Sequence, residues 1–472
     1  MESEGLNPDS GGQRTNWKSV YVAGIVCFLS AVEATFVMMA DWTYMDKVDP
    51  DATTQFYGFA SSMSTTAHVL FACVFSFWTY KTHTIRPQII LGRVLAFTGC
   101  CIYLCIEFLP SNRRYLMLFC YIIFAIASSS SVIMRVYLVL VSSEADRSRA
   151  FAGIGVAGTV SIVIGPLGQL LFSWISYPGY EVFPKVFFHL YSAPVWLATV
   201  TNIFTLFFVI FFLEEMPNKE KKSPNSKCEY SLVALKEKID AIKKLDIHWS
   251  LVGLCLLERV ILDLSPTTIG IIFSPLMMAA FGWDNEYTTI QSSIILGIVG
   301  IFSISVGAIF MGTKITNVVP ARFCFLISLL TAIFMYLLSH PWSLLGSSPL
   351  PVYNATLEVG CNPKDYSWCE TARATNPWLF LPVLLAVMGI GTTMGDISID
   401  TIYSKVLKDT DQTLMQGVMV IAVDIAMIIE PLYATTIFTF RGQALLWKCN
   451  GFITIFGIIL WLKNYRKLAE YN

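Results

Sequence analysis

Residues 18–43 read KSVYVAGIVCFLSAVEATFVMMADWT, and between Lys18 and Asp41 the only charged side chain is Glu33. A helix needs about 20 mostly apolar residues to cross the hydrocarbon core of a bilayer. The run is long enough, and it lacks the ten-residue alternation of a barrel strand. It reads as a transmembrane helix with one carboxylate near its middle.

The same pattern recurs along the chain. Runs at 56–79, 88–108, 115–141, 151–172, 190–213, 249–277, 289–312, 322–338, 378–403, 413–437 and 444–462 bring the expected number of spans to 12. Of the 472 residues, 55% are hydrophobic and 14% charged, and the mean hydropathy is +0.61. A soluble exterior could not cover that much apolar surface, so the lipid bilayer is the expected partner and nucleic acid is not. The stretch from Met1 to Asn16 is polar and has none of the three regions of a signal peptide, so the first span is expected to stay as a helix.

Positive residues near span ends mark the cytoplasmic side. With the N-terminus inside, 21 of the 32 Lys and Arg fall in cytoplasmic segments and 7 in the opposite loops. Arg113 and Arg114 dissent, so the expectation of two cytoplasmic termini rests on the sum. The long outer loop, 339–377, holds the glycosylation acceptor Asn354-Ala355-Thr356 and the cysteines Cys361 and Cys369. In an oxidising lumen these two thiols either pair as a disulfide or stand free.

The polar stretch 214–248 divides the chain into halves, 18–213 and 249–462, with tails at 1–17 and 463–472. The halves resemble each other. Ile133-Met134-Arg135-Val136-Tyr137 answers Ile399-Asp400-Thr401-Ile402-Tyr403, and Gly165-Pro166 answers Glu430-Pro431. From Tyr137 to Pro166 is 29 residues and from Tyr403 to Pro431 is 28. The expected fold is an all-α membrane protein of 12 transmembrane helices in two six-helix pseudo-symmetric halves, with a substrate path between them.

Local sequence then carries a family resemblance. Trp17-Lys18-Ser19-Val20-Tyr21-Val22 leading to Phe28-Leu29-Ser30, Asp49-Pro50, Arg135 with Tyr137, Gly165-Pro166, Cys361 to Cys369 with Trp368, and Thr401 to Leu407 are spread over most of the chain. The chain resembles the major facilitator superfamily, and within it the lysosomal family of major facilitator superfamily domain-containing protein 8. It departs from the superfamily pattern after span two, where Ser76-Phe77-Trp78-Thr79-Tyr80-Lys81 lacks Gly and Asp, and in span five, where Gln169 and Leu170 replace a glycine pair. The resemblance implies that spans one, four, seven and ten line a central cavity. It also implies a lysosomal membrane and associates chloride permeation with the family.

A charge near the bilayer centre costs roughly 2.5–3.5 kcal/mol on insertion scales, so such residues face a cavity, pair or titrate. Glu33 sits mid-span, where reversible protonation is the expectation. Arg135 reads as the only arginine in the interior of the N-terminal half's spans. An anion contact, a pair with Glu33 or with a span-seven or span-ten carboxylate, and snorkelling all stay open for it. Arg259 and Asp263 share a helix face and can pair, whereas Glu258 points about 100° away and is the less compensated acid. Asp396 and Asp400 share a face; the first reads as a cavity group with a proton-carrying role, the second as an interfacial charge near Lys405. Asp424 adds a further intramembrane charge. Glu430 adjoins Pro431, either as a hinge with a proton or cation site or as a kink with a paired carboxylate. Asp41 reads as an interfacial anchor beside Trp42 and Tyr44, and His68 as a hydrogen-bonded packing residue.

Tyr230-Ser231-Leu232-Val233 is a sorting candidate, with Tyr230 and Val233 its defining positions. No metal-ligand spacing, phosphate loop or nucleophile arrangement occurs, so neither catalysis nor a cofactor is expected. The expected function is transport of a small solute or ion in the endolysosomal membrane by alternating access, with chloride or protons as candidate ions. An anion-permeable channel on the same fold, and a non-transporting receptor or scaffold, are the alternatives.

Overall fold

The computed structural model describes residues 15–38, 40–82, 84–215, 248–312, 319–354, 359–407 and 412–471. The sorting candidate Tyr230 and Val233 lies outside them, as do most of the tail and the linker.

Helices α1 (Trp17–Met38), α2 (Asp41–Val48), α3 (Thr54–Thr82), α4 (Arg86–Leu104), α5 (Arg113–Ser129), α6 (Ser131–Val141), α7 (Glu144–Leu170) and α8 (Ala193–Phe211) build the first half. Helices α9 (Trp249–Phe281), α10 (Asn285–Gly312), α11 (Ala321–Leu338), α12 (Pro377–Leu385), α13 (Thr392–Leu407) and α14 (Gln412–Asn464) build the second. Two short antiparallel strand pairs, Tyr180–Phe183 with Val186–Phe188 and Ser348–Pro349 with Arg373–Ala374, lie in connections between them. Helices predominate because lipid offers no partners for backbone N–H and C=O groups, and a helix satisfies its own.

Eleven helical stretches among the described residues are long and apolar enough to cross a membrane. The last, Met415–Asn464, has 50 residues. Unbroken, it would extend about 75 Å, more than twice the hydrocarbon thickness. It turns back at Gly442, where φ is 74° and ψ −178°. Its two arms, 412–441 and 443–464, correspond to the separate spans expected at 413–437 and 444–462. Trp368 from the 339–377 loop covers the turn and donates from Nε1 to the Phe438 carbonyl at 2.6 Å.

Within the first half, α1 packs on α7 and α8, and α4 on α5 and α8. Within the second, α9 packs on α13 and α14, and α11 on α13 and α14. Two crossings join the halves, α3 on the first arm of α14 and α7 on α10. Glycines let these backbones approach. A Cβ on Gly58 would meet the Pro431 carbonyl oxygen at 2.8 Å, and one on Gly300 would meet Val163 at 2.7 Å. Packing through small residues replaces the hydrophobic drive that lipid removes.

The fourth span of each half is broken. Ser128, Ser129 and Ser130 donate to the carbonyls of Ala125, Ile126 and Ala127, competing with the helix ladder where α5 gives way to α6. Between α12 and α13, residues Ala386–Gly391 form a π turn. Ser328 of α11 donates to the Gly391 carbonyl at 2.6 Å there. At the end where α1 begins, Glu214 accepts from Lys18, Ser19 and Asn16, and the Lys18 ammonium chiefly holds its carboxyl below the usual carboxylate range.

Gly442 occupies a backbone region open essentially to glycine, and an added Cβ would sit 2.9 Å from the Trp368 ring. Gly442→Ala should therefore cost roughly 1–3 kcal/mol and lower the thermal midpoint of the detergent-solubilised chain. An unchanged midpoint would contradict this account of the turn.

Candidate functional site

The end of the bundle where α1 begins is called inner below, and the end where it finishes outer. A cavity of about 920 Å³ lies between the halves. Glu33, Asp41, His68 and Arg93 come to it from the first half, and Thr267 and Asp424 from the second.

Glu33 and Arg93 form its buried ion pair. Arg93 Nη1 lies 2.7 Å from Glu33 Oε2, and both side chains are almost fully inaccessible. Asn202 of α8 donates to the Arg93 backbone carbonyl at 2.9 Å, which ties α4 to α8 at the level of the pair. Arg93 corrects the reading of Arg135 as the only interior arginine of the first half, and it closes the pairing with Glu33, one of the alternatives open for Arg135. A lone arginine five residues inside an expected span, next to Gly92, was the available signal.

Arg135 is exposed and has no ion-pair partner among the described residues. It lies two turns beyond the cavity-lining Ser128 and within electrostatic reach of Asp424. Asp41 does not sit in an interfacial anchor's position. It starts α2 at the outer end of the cavity, with Oδ1 buried and lacking a hydrogen-bond partner. His68 is hydrogen-bonded through Nδ1 to Ser128 at 3.0 Å and to the Ala125 carbonyl at 3.3 Å while also lining the cavity.

Arg259 gathers three acids, Asp263 at 3.1 Å, Asp396 at 2.9 Å and Asp400 at 3.7 Å. Asp396 and Asp400 thus straddle a guanidinium rather than share a proton between two unneutralised carboxylates. Asp263 stands one turn before the cavity-lining Thr267, and Arg259 one turn earlier again, so the cluster continues the cavity face of α9 toward the inner end.

Two candidates lie away from the cavity. Glu258 is fully buried with neither carboxylate oxygen hydrogen-bonded, and it packs against Gly457 on the second arm of α14. Glu430 accepts from Thr268 at 3.0 Å, Thr268 accepts from Asn450 at 3.0 Å, and Asn450 accepts from Tyr433 at 2.9 Å. This network joins α9 to both arms of α14. The backbone stays helical through Glu430 and Pro431, so of the two readings of this pair the structure matches the partnered carboxylate, without a break in the helix.

The hydrogen bonds that join the halves cluster toward the outer end. Thr43 and Thr289 hydroxyls meet at 2.6 Å, Asn285 donates to Asp46 at 3.0 Å, and the Tyr177 amide donates to Glu286 at 2.7 Å. Thr54 and the Tyr366 hydroxyl meet at 2.6 Å, and Ser62 donates to the Ile428 carbonyl deeper in. At the inner end, the Lys18–Glu214 pair and the Arg259 cluster each stay within one half. The cavity is latched outside, and its charged faces run inward to exposed Arg135 and Asp400. In the outer loop, Asn354 is exposed, and Cys361 and Cys369 are joined as a disulfide.

The family model for the Major Facilitator Superfamily matches residues 20–360. Major facilitator superfamily domain-containing protein 8 of Xenopus laevis is 24% identical over 462 residues, covering 91% of this chain and 87% of that protein. A D-xylose–proton symporter shares the fold with a TM-score of 0.66 at 10% identity, over 94% of this chain and 97% of its own. The nucleoside transporter NupG aligns at 0.62 and 12% identity, over 95% and 99%. A bacterial homologue of the human lysosomal transporter Spinster, solved inward-facing and unoccupied, aligns at 0.62 and 10%, over 96% and 98%.

Removing one partner of a buried ion pair strands the other charge. Arg93→Met should destabilise by about 3–5 kcal/mol, and the Glu33→Gln, Arg93→Met double variant by less than the single Arg93 change. Thermal unfolding of the four proteins measures the cycle; additive losses would show that the two groups are not coupled.

Proposed function

The chain belongs to the major facilitator superfamily, and on that premise we propose that it moves a small solute across the endolysosomal membrane by alternating access of its two halves. The observation that carries this reading is the large cavity between halves, which among the described residues is closed by hydrogen bonds between the halves at the outer end. A fixed pore would have no use for such a one-sided closure, whereas a rocking transporter needs it.

Proton coupling would work through Glu33. A proton on its carboxylate removes the charge that holds Arg93, and freeing Arg93 changes the contact between α1 and α4. Glu33 is reachable from the cavity, so the proton and solute would use the same access. Lysosomal placement draws on the likeness to the domain-containing protein 8 relative and to the Spinster homologue. The disulfide and the Asn354 acceptor fit an outer face turned to an oxidising lumen, with both termini in the cytoplasm.

Arg135, which has no ion-pair partner among the described residues, favours a second reading, an anion-conducting path. The outer latch counts against it, because conduction needs both ends open together.

Thr43→Cys with Thr289→Cys tests alternating access. In proteoliposomes given a pH gradient and a panel of nucleosides, sugars and amines, oxidising this pair should stop uptake of whichever solute moves, and reduction should restore it. Uptake that continues through the cross-link, or chloride current across it in planar bilayers, would contradict the transporter reading.

A further inference from the structure

Resting on the solute-transport reading, we propose that Asp41, with Tyr57, Tyr121 and Trp42, forms a recognition site for the charged head of an organic ammonium ion whose body is apolar. The first argument is charge. Glu33 and Arg93 neutralise each other at 2.7 Å and leave no net charge for a ligand. Asp41 has no ion-pair partner among the described residues, and its Oδ1 is buried without a hydrogen bond. The neighbouring Tyr121 hydroxyl donates to the Asp41 backbone carbonyl at 3.3 Å and also lies in hydrogen-bonding reach of its carboxylate, leaving Oδ1 as the open oxygen. Asp424, the third acid lining the cavity, lies within electrostatic reach of His68 and Arg135, so it is Asp41 that stands without a nearby cation among the described residues. His68 is held through Nδ1 by Ser128 and the Ala125 carbonyl. A desolvated carboxylate without a cation is costly, and a bound ammonium removes that cost.

The second argument is the wall around that carboxylate. Asp41 and Tyr57 line both the large cavity and a smaller one of about 90 Å³ beside it, which Trp42 also lines. The rings of Trp42 and Tyr57 stand 5.6 Å apart, and Tyr121 borders the large cavity. Aromatic faces attract a desolvated cation, most strongly a substituted ammonium. Trp42 is 5% exposed, and its Nε1 has no hydrogen-bond partner, which leaves a donor for an acceptor group on the same ligand. Val37, Met38, Ile162 and Met427 supply apolar walls beyond the aromatic group. The space is far too large for a bare metal ion, and a chloride in it would face Asp41 with its charge unopposed.

The test uses the full chain in lipid nanodiscs and three probes with one aromatic body: 2-naphthylethylammonium, neutral 2-naphthylethanol and anionic 2-naphthylacetate. The ammonium should bind roughly thirtyfold tighter than the other two, the scale of losing one partner of a desolvated charge pair. Asp41→Asn should remove that preference without changing the weak binding of the alcohol, and Asp41→Glu should restore part of it. Excess sodium chloride should not displace the ammonium. If Asp41→Asn does not yield a monodisperse protein, Tyr57→Leu serves in its place and should weaken the ammonium alone. Equal binding of alcohol and ammonium, preference for the acetate, displacement by sodium, or no binding of any probe would each overturn the inference. Sugar or nucleoside uptake without ammonium preference would leave transport standing and remove this site. Asp41-dependent ammonium binding without uptake of any solute would do the reverse.

Discussion

A guanidinium and a carboxylate 2.7 Å apart, both almost fully buried at the cavity wall, set the terms for the first half of this protein. Lipid offers neither charge a solvent shell, so each is tolerable only because the other is there. The pair ties α4 to α1 at the wall of the central cavity. Arg259 obeys the same rule in the second half, with more accessible side chains and three acids in place of one. The two sites differ in what they leave over. Arg93 is matched by one acid, whereas Arg259 is met by three carboxyl groups toward the inner mouth.

Satisfaction of backbone groups shapes the rest. Where a span departs from regular helix, neighbouring hydroxyls meet the freed carbonyls, as Ser328 does at Gly391. These departures fall in the fourth span of each half, and the crossings that join the halves are reciprocal: α3 on the first arm of α14, and α7 on α10. In the repeat, α3 corresponds to α10 and α7 to that first arm, so one interface is used twice about a two-fold axis. In the proposed transport cycle this interface rocks, with the outer hydrogen bonds holding one extreme.

Local signals in the sequence reached part of this. Uninterrupted apolar runs located the spans, since length and polarity are properties of a segment by itself. The pairing of Arg259 with Asp263 followed from four-residue spacing on one helix. Arg93 and Glu33 are 60 positions apart and meet only once α1 and α4 pack, so no spacing rule joins them. Asp41 was misread for a related reason. Beside Trp42 and Tyr44 it has the local look of an interfacial anchor, and only the fold of α2 back over the cavity makes it a lining group. For Glu430, proline next to a carboxylate leaves a hinge and a partnered carboxylate equally legible, and only Thr268 and Asn450 from other segments decide between them.

The central claim is that the outer closure and the inner opening belong to one motion of two rigid halves. Spin labels at Asp51 and Asp284 report the outer end, and labels at Lys81 and Lys463 the inner end. Pulsed electron–electron distance measurements across a pH series and with added solute should give two populations at each end, the short outer distance occurring with the long inner one and exchanging with its converse. A single fixed distance at both ends under every condition would contradict the account.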